Sequence, residues 1–285
     1  FSYSVTKADL FGVLSYVAQQ NSYHPIKEYL TKIKKNTEPT NIDNLATRYL
    51  GTDNPLYDLF VKKWLIAAVA RIYRPGCKVD NALILHGAQN AGKSTFFTVL
   101  GGEGFDASVE DFNGKDSKLS LHKCWIQELA EFERINSRNA TEKIKQFLTL
   151  TSDNFRKPYA YDACDYNRQF VFCGSVNKAQ FLMDETGNRR FWVISIPTDH
   201  IIPNDLLTQE RDAIWSAAVK AYKSGEKWWL TRETESINAE NNSVFEYFDE
   251  WEADIEQYIS KLDQVYVGGI LSGAFKIDIA LQDRK

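Results

Sequence analysis

Four short runs rich in apolar residues, at positions 82–86, 123–128, 169–175 and 191–196, are spread along the middle of the chain, with longer segments between them. Runs of this length that are apolar on both faces suit buried parallel strands, and the alternation with helical segments predicts a mainly parallel sheet with crossover helices. Between the second and third runs, residues 141–150 place Ile144, Phe147 and Leu148 on one helical face. Ahead of the first run, the spacing of Leu10, Val13, Leu14 and Val17, then of Ile26, Tyr29, Leu30 and Ile33, predicts two helices, with Pro25 in the first turn of the second. A polar loop follows over 34–44, and a helix over 55–73 is ended by Pro75-Gly76. Past the fourth run the pattern predicts helices over 204–224, closed by Gly225, and over 233–262. The expected organisation is a helical segment at 1–50, an α/β core at 51–200, a helical segment at 201–263, and the start of a further small domain at 264–285.

The first run feeds directly into Gly87-Ala88-Gln89-Asn90-Ala91-Gly92-Lys93-Ser94-Thr95, a Gly-x-x-x-x-Gly-Lys-Ser loop followed by the helix-compatible Phe96-Phe97-Thr98-Val99-Leu100. Strand, loop and helix in this order form a phosphate-binding loop. The glycines let backbone N–H groups curl around phosphate oxygens, and the helix N-terminus adds partial positive charge. Lys93 is expected to reach the β- and γ-phosphates of ATP and Ser94 to ligate Mg²⁺. A glycine-containing turn is the bland alternative, and the strand before and helix after weigh against it.

Further chemistry lies at the ends of the later runs. Glu128 closes the second, with Glu131 one short step on, and such a carboxylate can hold Mg²⁺ or polarise an attacking water. Asn177 follows the third run and can orient that water. The pair Arg189-Arg190, in a turn before the fourth run, can neutralise charge on a neighbouring subunit's transferring phosphate, although pairing with Asp184 or Glu185 is the simpler reading. The stretch with Arg156, Lys157 and Tyr159 interleaves basic and aromatic residues, as a loop or hairpin tracking a nucleic-acid backbone and stacking on bases would, while Asp162 and Asp165 dilute its charge and a solvated surface hairpin is the alternative.

Composition narrows the partners. A formal net charge of −4 argues against coating nucleic acid through bulk positive charge, so any DNA contact is local. No apolar run approaches the roughly 20 residues of a membrane helix and no signal segment opens the chain, so a cytoplasmic protein is expected. The four scattered cysteines suggest neither a disulfide framework nor a zinc site. The chain opens at Phe1 and stops at Lys285 just after a new apolar segment, as an excised fragment would.

With these residues in hand, the chain resembles the virulence-associated E family, related to the superfamily 3 helicases of phages, plasmids and small viruses. The likeness extends beyond the loop to the segments 21–30 (Asn21 to Leu30) and 67–80 (Ala67 to Asp80), and to Gly187-Asn188-Arg189-Arg190-Phe191-Trp192. It implies a AAA+-type P-loop ATPase core flanked by helical segments, assembling as a homo-oligomeric ring, commonly a hexamer. It also implies movement along single-stranded DNA in the replication of a mobile element within a bacterial host, frequent fusion to a primase domain, and a winged-helix segment beginning near Val265. In its terms Gly92, Lys93 and Ser94 hold phosphate and Mg²⁺, Glu128 and Glu131 fall in the acidic motif, Asn177 is the sensor, and Arg189 or Arg190 the finger. Arg156, Lys157 and Tyr159 match a DNA-contacting hairpin. The departure is Gln127, where many such ATPases carry a second acid. The reading is an ATP-driven DNA helicase or translocase; the alternative is an origin-melting or remodelling ATPase without processive unwinding. A small-molecule P-loop kinase and a nucleotide-gated interaction module are more distant rivals.

Overall fold

A computed structural model describes residues 6–109, 114–129, 138–158, 162–182, 187–247, 250–260, 262 and 264–276. Its centre is a five-stranded sheet of β1 (Ala82–His86), β2 (Phe105–Asp106), β3 (Ile126–Glu128), β6 (Val171–Val176) and β7 (Phe191–Ser195). The spatial order is β2-β3-β6-β1-β7, and every pairing is parallel. The two remaining strands, β4 (Ser152–Phe155) and β5 (Cys164–Asn167), form a separate antiparallel hairpin. This is the expected α/β architecture with a mainly parallel sheet.

The period-2 geometry of the strands sorts the core into two layers. Leu83, Leu85, Val171, Cys173, Trp192 and Ile194 bury one face of the sheet, whereas Ala82, Ile84, Phe172, Phe191 and Val193 bury the other. The first face is covered by α4 (Pro55–Tyr73), α5 (Lys93–Gly101) and α8 (Asn204–Lys223). Leu30 and Ile33 of α2 (Pro25–Asn36), and Leu45, Ala46, Tyr49 and Leu50 of α3 (Leu45–Leu50), enter the same core. The second face receives Leu121 from α6 (Lys115–Leu121) and Ile144, Phe147 and Leu148 from α7 (Arg138–Thr149).

Helix α4 begins where Asn54 caps the Leu56 amide at 3.0 Å ahead of Pro55, and it is apolar nearly all round because the sheet lies on one side and α8 on the other. Its indole at Trp64 donates to the Phe172 carbonyl at 2.8 Å, while Trp125 donates back to the Ala68 carbonyl at 3.0 Å. The indole N–H groups of these two core tryptophans are thereby satisfied.

Several boundaries differ from the pattern. The second strand starts at Ile126 rather than at 123, since its neighbour β2 is only two residues long and offers no ladder further back. The helix expected over 233–262 is two helices, α9 (Arg232–Ser243) and α10 (Glu250–Ile259). Between them Phe245 turns into the second core layer, 3 % exposed, and its carbonyl accepts from the amides of Phe181 and Leu182. Burying that ring and pairing the backbone outweigh one uninterrupted helix. The first predicted helix is present as α1 (Lys7–Gln20), but Leu10, Phe11, Val13 and Leu14 are exposed. A short helix, α11 (Val267–Gly273), lies within 264–285, the region expected to start a winged helix, of which residues 277–285 lie outside the described residues. Among the described residues no helix is long and apolar enough to cross a membrane.

Candidate nucleotide site and its flanking surfaces

Because all five strands run the same way, their carboxyl ends open on one edge of the sheet, the position where open α/β sheets place ligands. The loop at 87–94 leaves β1 at that edge and returns into α5. Two left-handed positions shape it: Asn90 at φ 66° and Gly92 at φ 85°. A Cβ on Gly92 would stand 2.5 Å from the Asn204 amide nitrogen, so both the angle and the contact demand glycine. The outer side of the loop is braced by the residues that enter α8: the Ile202 amide donates to the Ala91 carbonyl at 3.0 Å, and Asn204 donates to the Gly92 carbonyl at 3.1 Å. Ala88, Gln89 and Asn90 are partly or fully exposed at the crest, and Thr95 faces solvent in the first turn of α5.

Lys93 is 6 % exposed, and its ammonium donates to the Gly87 carbonyl at 2.8 Å, the Ala88 carbonyl at 2.7 Å and Asn177 Oδ1 at 2.8 Å. The cation therefore lies inside its own loop, beside the residue that follows β6. Ser94 Oγ donates to Glu128 Oε1 at 3.1 Å and lies 2.9 Å from Ser175 Oγ, which itself donates to Glu128 Oε1 at 2.6 Å. Three oxygen-bearing side chains from α5, β3 and β6 thus converge at the start of α5.

Strand alternation explains the residue before Glu128. Ile126 and Glu128 point to the α5 side, so Gln127 points to the other, where it is fully buried and its amide donates to the Glu128 carbonyl at 2.9 Å. A second acid at 127 would be directed away from the loop. Glu131 lies outside the described residues.

The arginine pair is not brought to this edge. Arg189 and Arg190 sit in a one-turn 3-10 segment, Asn188–Arg190, immediately before β7, at the amino end of the strands. The register pairs Ala82 with Phe191 and His86 with Ser195, so the length of β1, about 16 Å at roughly 3.3 Å per residue, separates the pair from the chain's own loop. Arg189 Nη1 is 3.8 Å from Glu235, and Arg190 Nη1 donates weakly to the Gly187 carbonyl at 3.4 Å. The sequence alternatives, Asp184 and Glu185, lie outside the described residues. Beside the pair opens a cavity of about 700 Å³ whose lining includes Arg74, Lys78, Asn81, Trp228 and Trp229. The buried Nε of Arg190 and Nδ2 of Asn81 have no hydrogen-bond partner among the described residues.

Arg156 and Lys157 are exposed just past β4, in the connection to β5; Tyr159 lies outside the described residues. Lys157 Nζ rests 4.4 Å from the Tyr166 ring centroid. The base of this hairpin is fastened by a group that sequence reasoning missed. Arg168, fully buried, forks onto Asp153 at 2.8 and 2.7 Å and donates to the Phe147 carbonyl at 2.6 Å. His122 Nε2 meets the same carboxylate at 3.0 Å. Burial pushes the Asp153 carboxyl up, but the bonds from His122 and Arg168 prevail and hold it at about 2. Ser175 and Asn204 were missed as well. A lone hydroxyl late in an otherwise apolar strand is a usable signal for the first; nothing local distinguishes the second.

Comparisons with known proteins agree with this architecture. The apo structure of the NrS-1 C-terminal region (305–718) superimposes with a TM-score of 0.51 at 16 % identity, over 86 % of this chain and 62 % of that one. A second apo form of the NrS-1 C-terminal region gives 0.50 at 13 % identity, over 80 % and 57 %. This chain thus spans about three fifths of the solved chains it resembles, and at such identities the likeness concerns fold. No curated protein matches the chain. The profile of the virulence-associated protein E-like domain matches residues 30–247, from α2 through the close of α9, and the chain belongs to that family.

Proposed function

We propose that this chain is an ATP-hydrolysing DNA helicase or translocase of the superfamily 3 kind, serving the replication of a phage or other mobile element as a ring of identical subunits. The observation that carries the reading is the Lys93 ammonium, buried inside its own loop and held by two loop carbonyls and Asn177. Phosphate oxygens arriving at the loop would take the place of these carbonyl and amide oxygens on the ammonium, since a charged acceptor binds it more strongly than a neutral one. The loop amides from Gly87 to Thr95 and the start of α5 would bind the rest of the phosphate chain.

The oxygen set of Ser94, Glu128 and Ser175 fits Mg²⁺, a hard cation that prefers such donors. The ion would neutralise charge on the phosphates. Glu128, and Glu131 beyond it, would polarise the attacking water, and Asn177 would position that water while sensing the γ-phosphate. Since the arginines lie about a strand's length from their own loop, they would act on the nucleotide of a neighbouring copy, with the cavity beside Arg190 giving room for it. Arg156, Lys157 and Tyr159 on the hairpin would touch single-stranded DNA.

The test is ATP turnover by the purified chain with and without single-stranded DNA. Lys93→Ala is expected to lose about a hundredfold or more of the rate, by analogy with the loss of other groups that stabilise transition-state charge. An unchanged rate in that variant sinks the proposal. Turnover that single-stranded DNA does not raise, in an assembled protein that binds duplex and fails to displace a forked strand, would favour origin melting instead.

A further inference from the structure

The turn that carries the arginine pair is held from outside the sheet by the asparagines of α9. Asn242 Nδ2 donates to two carbonyls, those of Asn188 and Phe191, at 2.9 Å each. Asn238 Nδ2 donates to the Arg189 carbonyl at 3.2 Å, and Asn241 Nδ2 to the Val193 carbonyl at 2.9 Å. Asn241 is oriented in turn by the Tyr57 hydroxyl of α4, which donates to its Oδ1 at 2.9 Å. From the far side, Asn188 donates to Glu246 Oε1 at 2.9 Å, and Glu246 belongs to the segment whose backbone pairs with Leu182. The turn is gripped on both flanks.

Asparagine is a poor helix former, and an unbonded buried amide is costly. Three asparagines between 238 and 242, two of them fully buried, are therefore not explained by the helix itself. Part of their role is plain: β7 is an edge strand, and Asn241 and Asn242 cover its outward carbonyls at Val193 and Phe191. The bonds to the Asn188 and Arg189 carbonyls fall outside the strand, on the turn.

We infer that Asn238 and Asn242 are positioning residues for Arg189 and Arg190, fixing the backbone from which the guanidinium groups reach a neighbouring subunit's nucleotide. The inference rests on the shared-site reading above. It makes α9 a part of the trans half of the site, acting through the backbone of the arginine turn.

The experiment uses the full chain, assembled with ATP, Mg²⁺ and single-stranded DNA. Asn238→Ala, which removes one bond, is expected to lower kcat roughly tenfold or more with KM for ATP within about twofold, since misplacement of a charge-stabilising group costs rate rather than ground-state binding. Should Asn242→Ala fail to fold, Asn238→Ala alone carries the test. Mixing then separates positioning from general damage. Asn238→Ala subunits mixed with Lys93→Ala subunits are expected to regain activity, because one class of interface joins an intact loop to an intact arginine turn; Asn238→Ala mixed with Arg190→Ala regains none. If Arg190→Ala and Lys93→Ala complement each other but Asn238→Ala and Lys93→Ala do not, or if Asn238→Ala leaves kcat unchanged, the positioning role is overturned. If the reference pair itself fails to complement, the shared-site reading falls and this inference with it.

Discussion

At the scale of single residues, the buried Arg168–Asp153 pair offers the clearest forecast. Removing one partner strands the other charge in the interior, so Asp153→Ala is expected to cost about 3–5 kcal/mol, read from denaturant unfolding. The sign with pH follows from the depressed carboxyl. The ordinary value is near 4 and the folded value about 2, so the stabilisation is fully present above pH ~4 and is lost as the pH falls through about 2. Wild-type stability should therefore drop across that interval more steeply than that of Asp153→Asn; parallel curves would contradict the assignment. Gly92→Ala tests another residue. With φ at 85° and a Cβ directed 2.5 Å from Asn204, the substitution should destabilise by about 1 kcal/mol or more and weaken nucleotide binding, measured by calorimetry.

At the scale of elements, the hairpin β4–β5 is where DNA contact can be tested apart from chemistry. Replacing Arg156 and Lys157 by Ala removes two cations, which should weaken single-stranded DNA binding and flatten the dependence of log K on log salt by about 1.4. An unaltered slope would place the DNA elsewhere. This element also marks what the residue pattern could convey. The strands β1, β6 and β7 were legible because strands buried on both faces leave short, mostly apolar runs, and α4 was legible because its apolar residues recur from Pro55 until Pro75-Gly76 ends it. The loop, Glu128 and Asn177 were found as strand endings, and their convergence follows once the strands are parallel. What escaped depended on distance in sequence: β2 is two residues long, Asp153 and Arg168 are joined only by the fold, and Asn204 reaches Gly92 across 112 positions. The break between α9 and α10 escaped because Phe245 fits a helical pattern equally well until its partner Phe181 is known.

At the scale of the whole molecule, the sheet has a direction. The loop, Ser94, Glu128, Ser175 and Asn177 occupy its carboxyl edge, while the arginine turn and its cavity occupy the amino edge of β7. On the proposed reading, mass measurement should show single chains converting to a larger homo-oligomer when ATP, Mg²⁺ and single-stranded DNA are added; a mass that stays that of one chain would remove the arginines from the site. The polarity of the sheet has a kinetic corollary. If the sites are shared as proposed, a lone subunit owns the first half of one reaction centre and the second half of another, and it completes neither. Turnover per chain is then not a constant of the protein but rises with its concentration, falls away on dilution faster than the protein itself does, and levels off only once every subunit has found a neighbour.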